Sequence, residues 1–127
     1  MKIIAPKLGT IKSAQGKVIP VNESLLTVAS VLFDALYIPG GIKSIEALKL
    51  EGDAIHFLDE TYKHCKAISI AGEGLSLLKV SYAGSKLSTG KTDFTKGIIL
   101  NGKPKEFIHA IAQHRFWERE NEGNVPA

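Results

Sequence analysis

Chemistry in this sequence would have to come from a small number of residues. The most suggestive are Gly72-Glu73-Gly74, which come after the apolar run Ala67-Ile68-Ser69-Ile70 and lead into Leu75-Ser76-Leu77-Leu78. A glycine-rich turn between a buried strand and a helix can cradle an anion or hold a nucleophile on a strained elbow. As a phosphate cradle it lacks the Lys-Ser/Thr of a P-loop and the third glycine of a dinucleotide fingerprint, and Glu73 would repel phosphate. As an elbow it has the shape without the nucleophile, since neither Gly72 nor Glu73 attacks a carbonyl as Cys or Ser does. Cys65, the single cysteine, lies before that strand rather than after it, on the apolar side of a helix, where a thiol packs as a small hydrophobe. Its neighbour His64 points about 100° away around a helix, which separates thiol from imidazole.

Metal ligation finds no support in spacing. His56 and His64 are eight residues apart and His109 and His114 five, whereas two imidazoles share a helix face at a spacing of about four. Asp34 stands at the start of an apolar run, and Asp59 with Glu60 is expected on the polar side of a helix, so no carboxylate pair is set up for acid–base work. Phe116 and Trp117 suit a core or an interface better than a ligand cage.

The elements that would position these residues follow from periodicity. Ala35-Leu36-Tyr37-Ile38 and residues 67–70 lack polar alternation and are bounded by turn residues, as central parallel strands are. Between them a helix is expected from a cap at Asp53 to about Cys65, with Ala54, Leu58, Tyr62 and Cys65 on one face. A shorter helix capped by Ser44 precedes it, with Ile45 and Leu48 inward and Gly52 as its stop. Residues 8–12 and 17–21 flank Ser13-Ala14-Gln15-Gly16 and predict an antiparallel hairpin. Gly84, Gly90, Gly97 and Gly102 break up residues 80–103, where Ile98-Ile99-Leu100 is the best strand. From Pro104 to about residue 118 a helix is expected, with Phe107, Ile108, Ile111, Ala112 and Phe116 toward the sheet. Residues 121–127 read as an extended tail.

Composition bounds the rest. At 127 residues, residues 1–127 make a single domain with a real core. Hydrophobic residues are 44% and charged residues 23%, ordinary values for a soluble globular chain, and no run is long enough for a membrane span. The stretch from Met1 to Pro6 is too short for a secretory signal. One cysteine excludes an internal disulfide and agrees with a cytoplasmic location. Sixteen basic residues are dispersed among thirteen acidic ones for a net +3, so nucleic acid is not implied.

Three blocks go beyond generic patterning: Ser30-Val31-Leu32-Phe33-Asp34-Ala35-Leu36-Tyr37-Ile38-Pro39-Gly40-Gly41, Tyr62-Lys63-His64-Cys65-Lys66-Ala67-Ile68, and Ala112-Gln113-His114-Arg115-Phe116-Trp117. With the ending Val125-Pro126-Ala127 they resemble, in matching order, the C-terminal domain of large-subunit catalases. The wider relatives are PfpI-type proteases and other class I glutamine amidotransferase-like proteins, which share the Asp-Ala-x-x-x-Pro-Gly-Gly segment found at 34–41. The resemblance implies a flavodoxin-like α/β three-layer sandwich around a mostly parallel sheet. Active members of that superfamily carry a Cys at the elbow, where this chain has Gly72 and Glu73. The family's first strand–helix unit is missing, because the chain starts near the following strand at Lys2-Ile3-Ile4-Ala5, and in a flavodoxin-like order its loss leaves strand edges unpaired. A rearranged sheet or a tight homo-oligomer is therefore expected.

What the resemblance implies for function is a non-catalytic structural or interaction domain that packs on a catalase core and supports its assembly and stability. Haem is expected only in that core, since no tyrosine here stands in the Arg-x-x-x-Tyr setting of a catalase haem ligand. The rivals are a small PfpI-type hydrolase or deglycase using Cys65 or Glu73 in a cleft at the strand ends, and a chaperone-like module offering apolar surface.

Overall fold

The computed structural model describes residues 1–13, 15–82 and 97–117. Its centre is a three-stranded parallel sheet of β5 (Ala35–Ile38), β6 (Ala67–Ile70) and β7 (Ile98–Leu100), in that order, with Ala35 opposite Ala67 and Ile68 opposite Ile98. Side chains alternate between the faces of a strand, and here the alternation divides the core in two. Ile38, Ile68, Ile70, Ile98 and Leu100 join Ile45, Leu58, Tyr62, Leu77 and Leu78 on one face. Ala67 and Ile99 join Ala110 and Phe116 on the other. All four residues of β6 are buried because both of its faces are covered.

The first face is covered by α1 (Ile42–Lys49), α2 (Gly52–Lys63) and α3 (Gly74–Lys79), the second by α4 (Pro104–Ala112). Helices on both sides of a parallel sheet make the expected α/β sandwich. Ahead of it, β2 (Gly9–Lys12) and β3 (Val18–Val21) form the expected antiparallel hairpin, while β1 (Ile4–Ala5) and β4 (Glu23–Ser24) make a separate two-stranded parallel pair. A 3-10 turn at Ser30–Leu32 leads into β5.

Among the described residues β5 is an edge of the central sheet, not the interior strand its apolar run suggested, and Tyr37 on it is 54% exposed. Ile38 turns its carbonyl to the Ala71 N–H on the β6 side. Backbone groups alternate sides along a parallel strand, so those of Ala35 and Tyr37 face the open edge.

Helix ends depart from the sequence reading for physical reasons. α1 begins at Ile42, ahead of Ser44, after Gly41 at φ +128, and no side-chain cap bond is made. Gly52 is the first residue of α2 rather than the stop of α1, and Asp53 sits in the first turn, where a carboxylate favours the helix dipole without capping. Ala54, Leu58, Tyr62 and Cys65 are buried as their spacing requires. Yet α2 ends at Lys63: Cys65 takes φ +62, its N–H donates to the Tyr62 carbonyl, and the Lys66 N–H donates to that of Thr61. This pair of bonds is the Schellman pattern, with Cys where glycine is usual. Asp59 is buried, contrary to its expected polar-side position.

α4 stops at Ala112, well before residue 118, with His114 at φ +68. Its Ile108, Ile111 and Ala112 are exposed, against expectation, and the core contacts fall to Phe107, Ala110 and, beyond the helix, Phe116. Replacing His114 by Gly relieves the left-handed strain at an exposed site and is expected to raise stability by about 0.5–1 kcal/mol, measured by urea denaturation; a loss would show that the His114 side chain contributes more than its backbone costs. Gly84, Gly90 and the tail 121–127 lie outside the described residues.

Candidate functional site

In an open parallel sheet the loops after the strands converge at one end, and ligands gather there. Here that end carries Gly40-Gly41 after β5, Gly72-Glu73 after β6 and Asn101-Gly102 after β7. Gly72 has φ +51, and its Cα lies so near Gly40 that a Cβ on either would come 3.5 Å from the other's Cα. A Cβ on Gly74 would meet Ile70 at 2.7 Å and Ile38 at 3.2 Å. The three residues of the Gly72-Glu73-Gly74 turn are thus a tight elbow between β6 and α3.

Two side chains tie the loops together. The Gly41 N–H donates to Glu73 Oε2 at 2.8 Å, and the Gly72 N–H donates to Asn101 Oδ1 at 2.6 Å. Asn101 is at φ +54, which Asn tolerates better than most side chains, and its own N–H donates to the Ile70 carbonyl at 2.8 Å. Glu106 reaches back to the Lys103 N–H at 3.1 Å and starts α4 behind Asn101. The Glu73 carboxyl is held below its usual range by its own backbone N–H and by that of Gly41, with slight desolvation opposing. A carboxylate so held is a weak base and carries no proton to give at neutral pH. Its contact with Gly41 favours the folded chain above the ordinary carboxylate range and is lost as pH falls through the lowered folded value.

Cys65 does not share this site. It lies before β6, so the whole strand separates it from Gly72 and Glu73, and it is 1% exposed with Sγ 3.7 Å from the Lys63 carbonyl. A thiol so deeply buried packs as a small hydrophobe and is shielded from reagents in solution. Brief treatment of the folded chain with iodoacetamide is expected to leave Cys65 unmodified by mass spectrometry, with full labelling in urea; fast labelling of folded chain would contradict its burial.

The remaining candidates are dispersed. His64 Nε2 lies 3.3 Å from Glu60 one helical turn away, and Arg115 reaches Asp34 at 3.5 Å. No group of three metal-ligating side chains occurs among the described residues. Phe116 is buried and Trp117 is 60% exposed.

Sequence reasoning missed Asn101 and Lys66. Asn101 was findable as the residue closing the Ile98–Leu100 strand at the end where loops converge. Lys66 is buried at the start of β6, opposite the crevice, and its Nζ donates to the Ser30 carbonyl at 2.7 Å. Burial, then the nearby Arg115, hold its pKa below the usual lysine range, with Asp34 partly offsetting them. Nothing in its local pattern distinguishes it from the surface lysines.

Comparison with known proteins agrees with this geometry. A two-domain protein from Anabaena variabilis, containing DJ-1/ThiJ/PfpI-like and ferritin-like domains, superposes with a TM-score of 0.65 at 14% identity over 99% of this chain and 42% of that one. The fold is accordingly the flavodoxin-like α/β type of that group. Catalase HPII of Mycobacterium avium is 33% identical over 138 residues, covering 100% of this chain and 19% of its own length. Catalase-2 of Bacillus subtilis is 38% identical over 123 residues, or 92% of this chain and 16% of its own. The chain spans less than a fifth of the length of these curated relatives. Residues 1–121 match the family described as the C-terminal domain found in long catalases, and the chain belongs to that family.

Proposed function

We propose that this domain is non-catalytic, and that it supports the assembly and stability of a haem catalase that degrades hydrogen peroxide. The observation that carries the reading is the elbow: where a nucleophile would stand, Gly72 and Glu73 offer none, and the Gly41 and Gly72 N–H donors are taken up by the chain's own oxygens. Haem belongs, in this reading, to a catalase core and not to residues 1–127. The purified chain mixed with haemin is expected to retain no haem and to leave peroxide unchanged; haem-supported turnover overturns the proposal.

The same reading assigns the domain a partner, either a second copy or a catalase core. It is supported by the edge position of β5 among the described strands and by the exposed Val31, Leu32 and Trp117, since unpaired strand edges and exposed apolar surface are normally covered. A cytoplasmic setting is part of the proposal, supported by the presence of a single cysteine, which leaves no internal disulfide; no helix among the described residues is long and apolar enough to cross a membrane. Light scattering at about 100 μM tests the homo-oligomer, an effective range for weak association. A strictly monomeric chain that also ignores a catalase core lacking this domain removes the interaction role.

A further inference from the structure

The geometry points to a self-latched crevice: we propose that Glu73 and Asn101 act as internal ligands that close the strand-end crevice against any other occupant. The inference rests on the non-catalytic reading and explains how the crevice is kept inert. In folds of this kind a substrate carbonyl or carboxylate is received by backbone N–H groups aimed into the crevice. Here two backbone N–H groups on the β5 and β6 loops, those of Gly41 and Gly72, are already bonded to Glu73 Oε2 and Asn101 Oδ1.

The backbone around them is shaped to admit these side chains. A Cβ at position 40 would come 2.9 Å from Glu73 Oε2 and 3.4 Å from the Ala71 carbonyl, so a side chain there would displace the carboxylate from its place at Gly41. Gly72 and Asn101 both adopt positive φ, the first to pass close to Gly40, the second to bring its amide across to Gly72. The result is a cross-brace: β5 loop to β6 loop through Glu73, and β6 loop to β7 loop through Asn101. Each brace uses a different donor and a different acceptor, so each can be released without touching the other. Glu73 and Asn101 are positioning residues in this account.

Residue-resolved amide hydrogen exchange by NMR on the full chain tests it. In the wild type the Gly41 and Gly72 amides are expected to be protected. Glu73→Ala is expected to speed exchange at Gly41 about tenfold, in line with the loss of one charge-assisted hydrogen bond, and to leave Gly72 unchanged. Asn101→Gly, which keeps the positive φ accessible, is expected to do the reverse. Glu73→Gln retains an acceptor oxygen and is expected to keep Gly41 protected to within about threefold; it also serves if the alanine variant does not fold. An unprotected Gly41 in the wild type, or equal acceleration of both amides in both variants, overturns the latch. The outcome is separable from the functional reading: ester hydrolysis by a wild type with protected Gly41 would sink the non-catalytic role and leave the latch standing, and an inert wild type with free Gly41 would do the converse.

Discussion

Phe116→Ala is expected to cost about 3–5 kcal/mol, the usual range for removing a buried aromatic ring. The ring is 3% exposed and packs with Ala67, Ile99 and Ala110 on the α4 face of the sheet. That cluster is small and its buried members besides Phe116 are two alanines and one isoleucine, with Ala35 and Phe107 packed at its margin, so the ring is its largest buried side chain. The Phe116 N–H also donates to the Cys65 carbonyl at 2.7 Å, tying the segment after α4 to the start of β6. Alanine retains that bond, so the loss measured is that of packing. Urea denaturation of the variant reads it, with Trp117→Ala as the neighbouring control, since Trp117 is 60% exposed. Comparable losses for both would mean that the ring is not the anchor of this face.

Gly97→Ala attacks the same contact from the other side and is expected to cost about 2–4 kcal/mol. Two effects add. Gly97 has φ +71, where a Cβ costs about 1 kcal/mol, and a methyl there would run into the Phe116 ring, an overpacking worth roughly 1–3 kcal/mol. The neighbouring ladder leaves little room to yield, because the Gly97 carbonyl accepts from the Ile68 N–H at 2.8 Å. The double variant separates the two terms. With Phe116 already reduced to alanine, the cost of Gly97→Ala should fall to the backbone part alone, a coupling of about 1–3 kcal/mol. Strict additivity would show that the ring and the glycine are not in contact.

These two residues also mark what the sequence allowed to be read. Phe116 was placed on an inward face, but on a helix continued to about residue 118; the chain leaves the helix at Ala112 and returns the ring to the core from a loop. Periodicity sees only the spacing of apolar residues, and a turn with positive φ at His114 brings a residue inward at a spacing that also fits a helix. The same blindness displaced the end of α2, because Cys65 takes the left-handed turn that glycine normally announces. Strands β6 and β7 and the β2–β3 hairpin were legible because their patterns are local. The position of β5 at the edge among the described strands was not, since order in a sheet depends on which neighbour is present rather than on the strand's own residues.

The crevice was half legible for the same reason. Gly72-Glu73-Gly74 announced an elbow through glycine content and through its place after a buried strand. Its bracing depends on Gly41 and Asn101, thirty-two residues before Glu73 and twenty-nine after Gly72, and no short-range pattern connects them. Which side chains stand at the elbow, Gly72 and Glu73, could be read directly from the sequence.

The parallel sheet has a kinetic consequence. The hairpin of β2 and β3 joins strands adjacent in the chain and can close within microseconds. Each pairing in the β5–β6–β7 sheet must instead wait for an intervening helical segment to be threaded across, and loop closure over such lengths slows folding. Refolding from urea should therefore show early hairpin signal and late burial of β6, with β6 exposed in the interval. The strand that is most deeply buried at the end is the one most open to mispairing on the way.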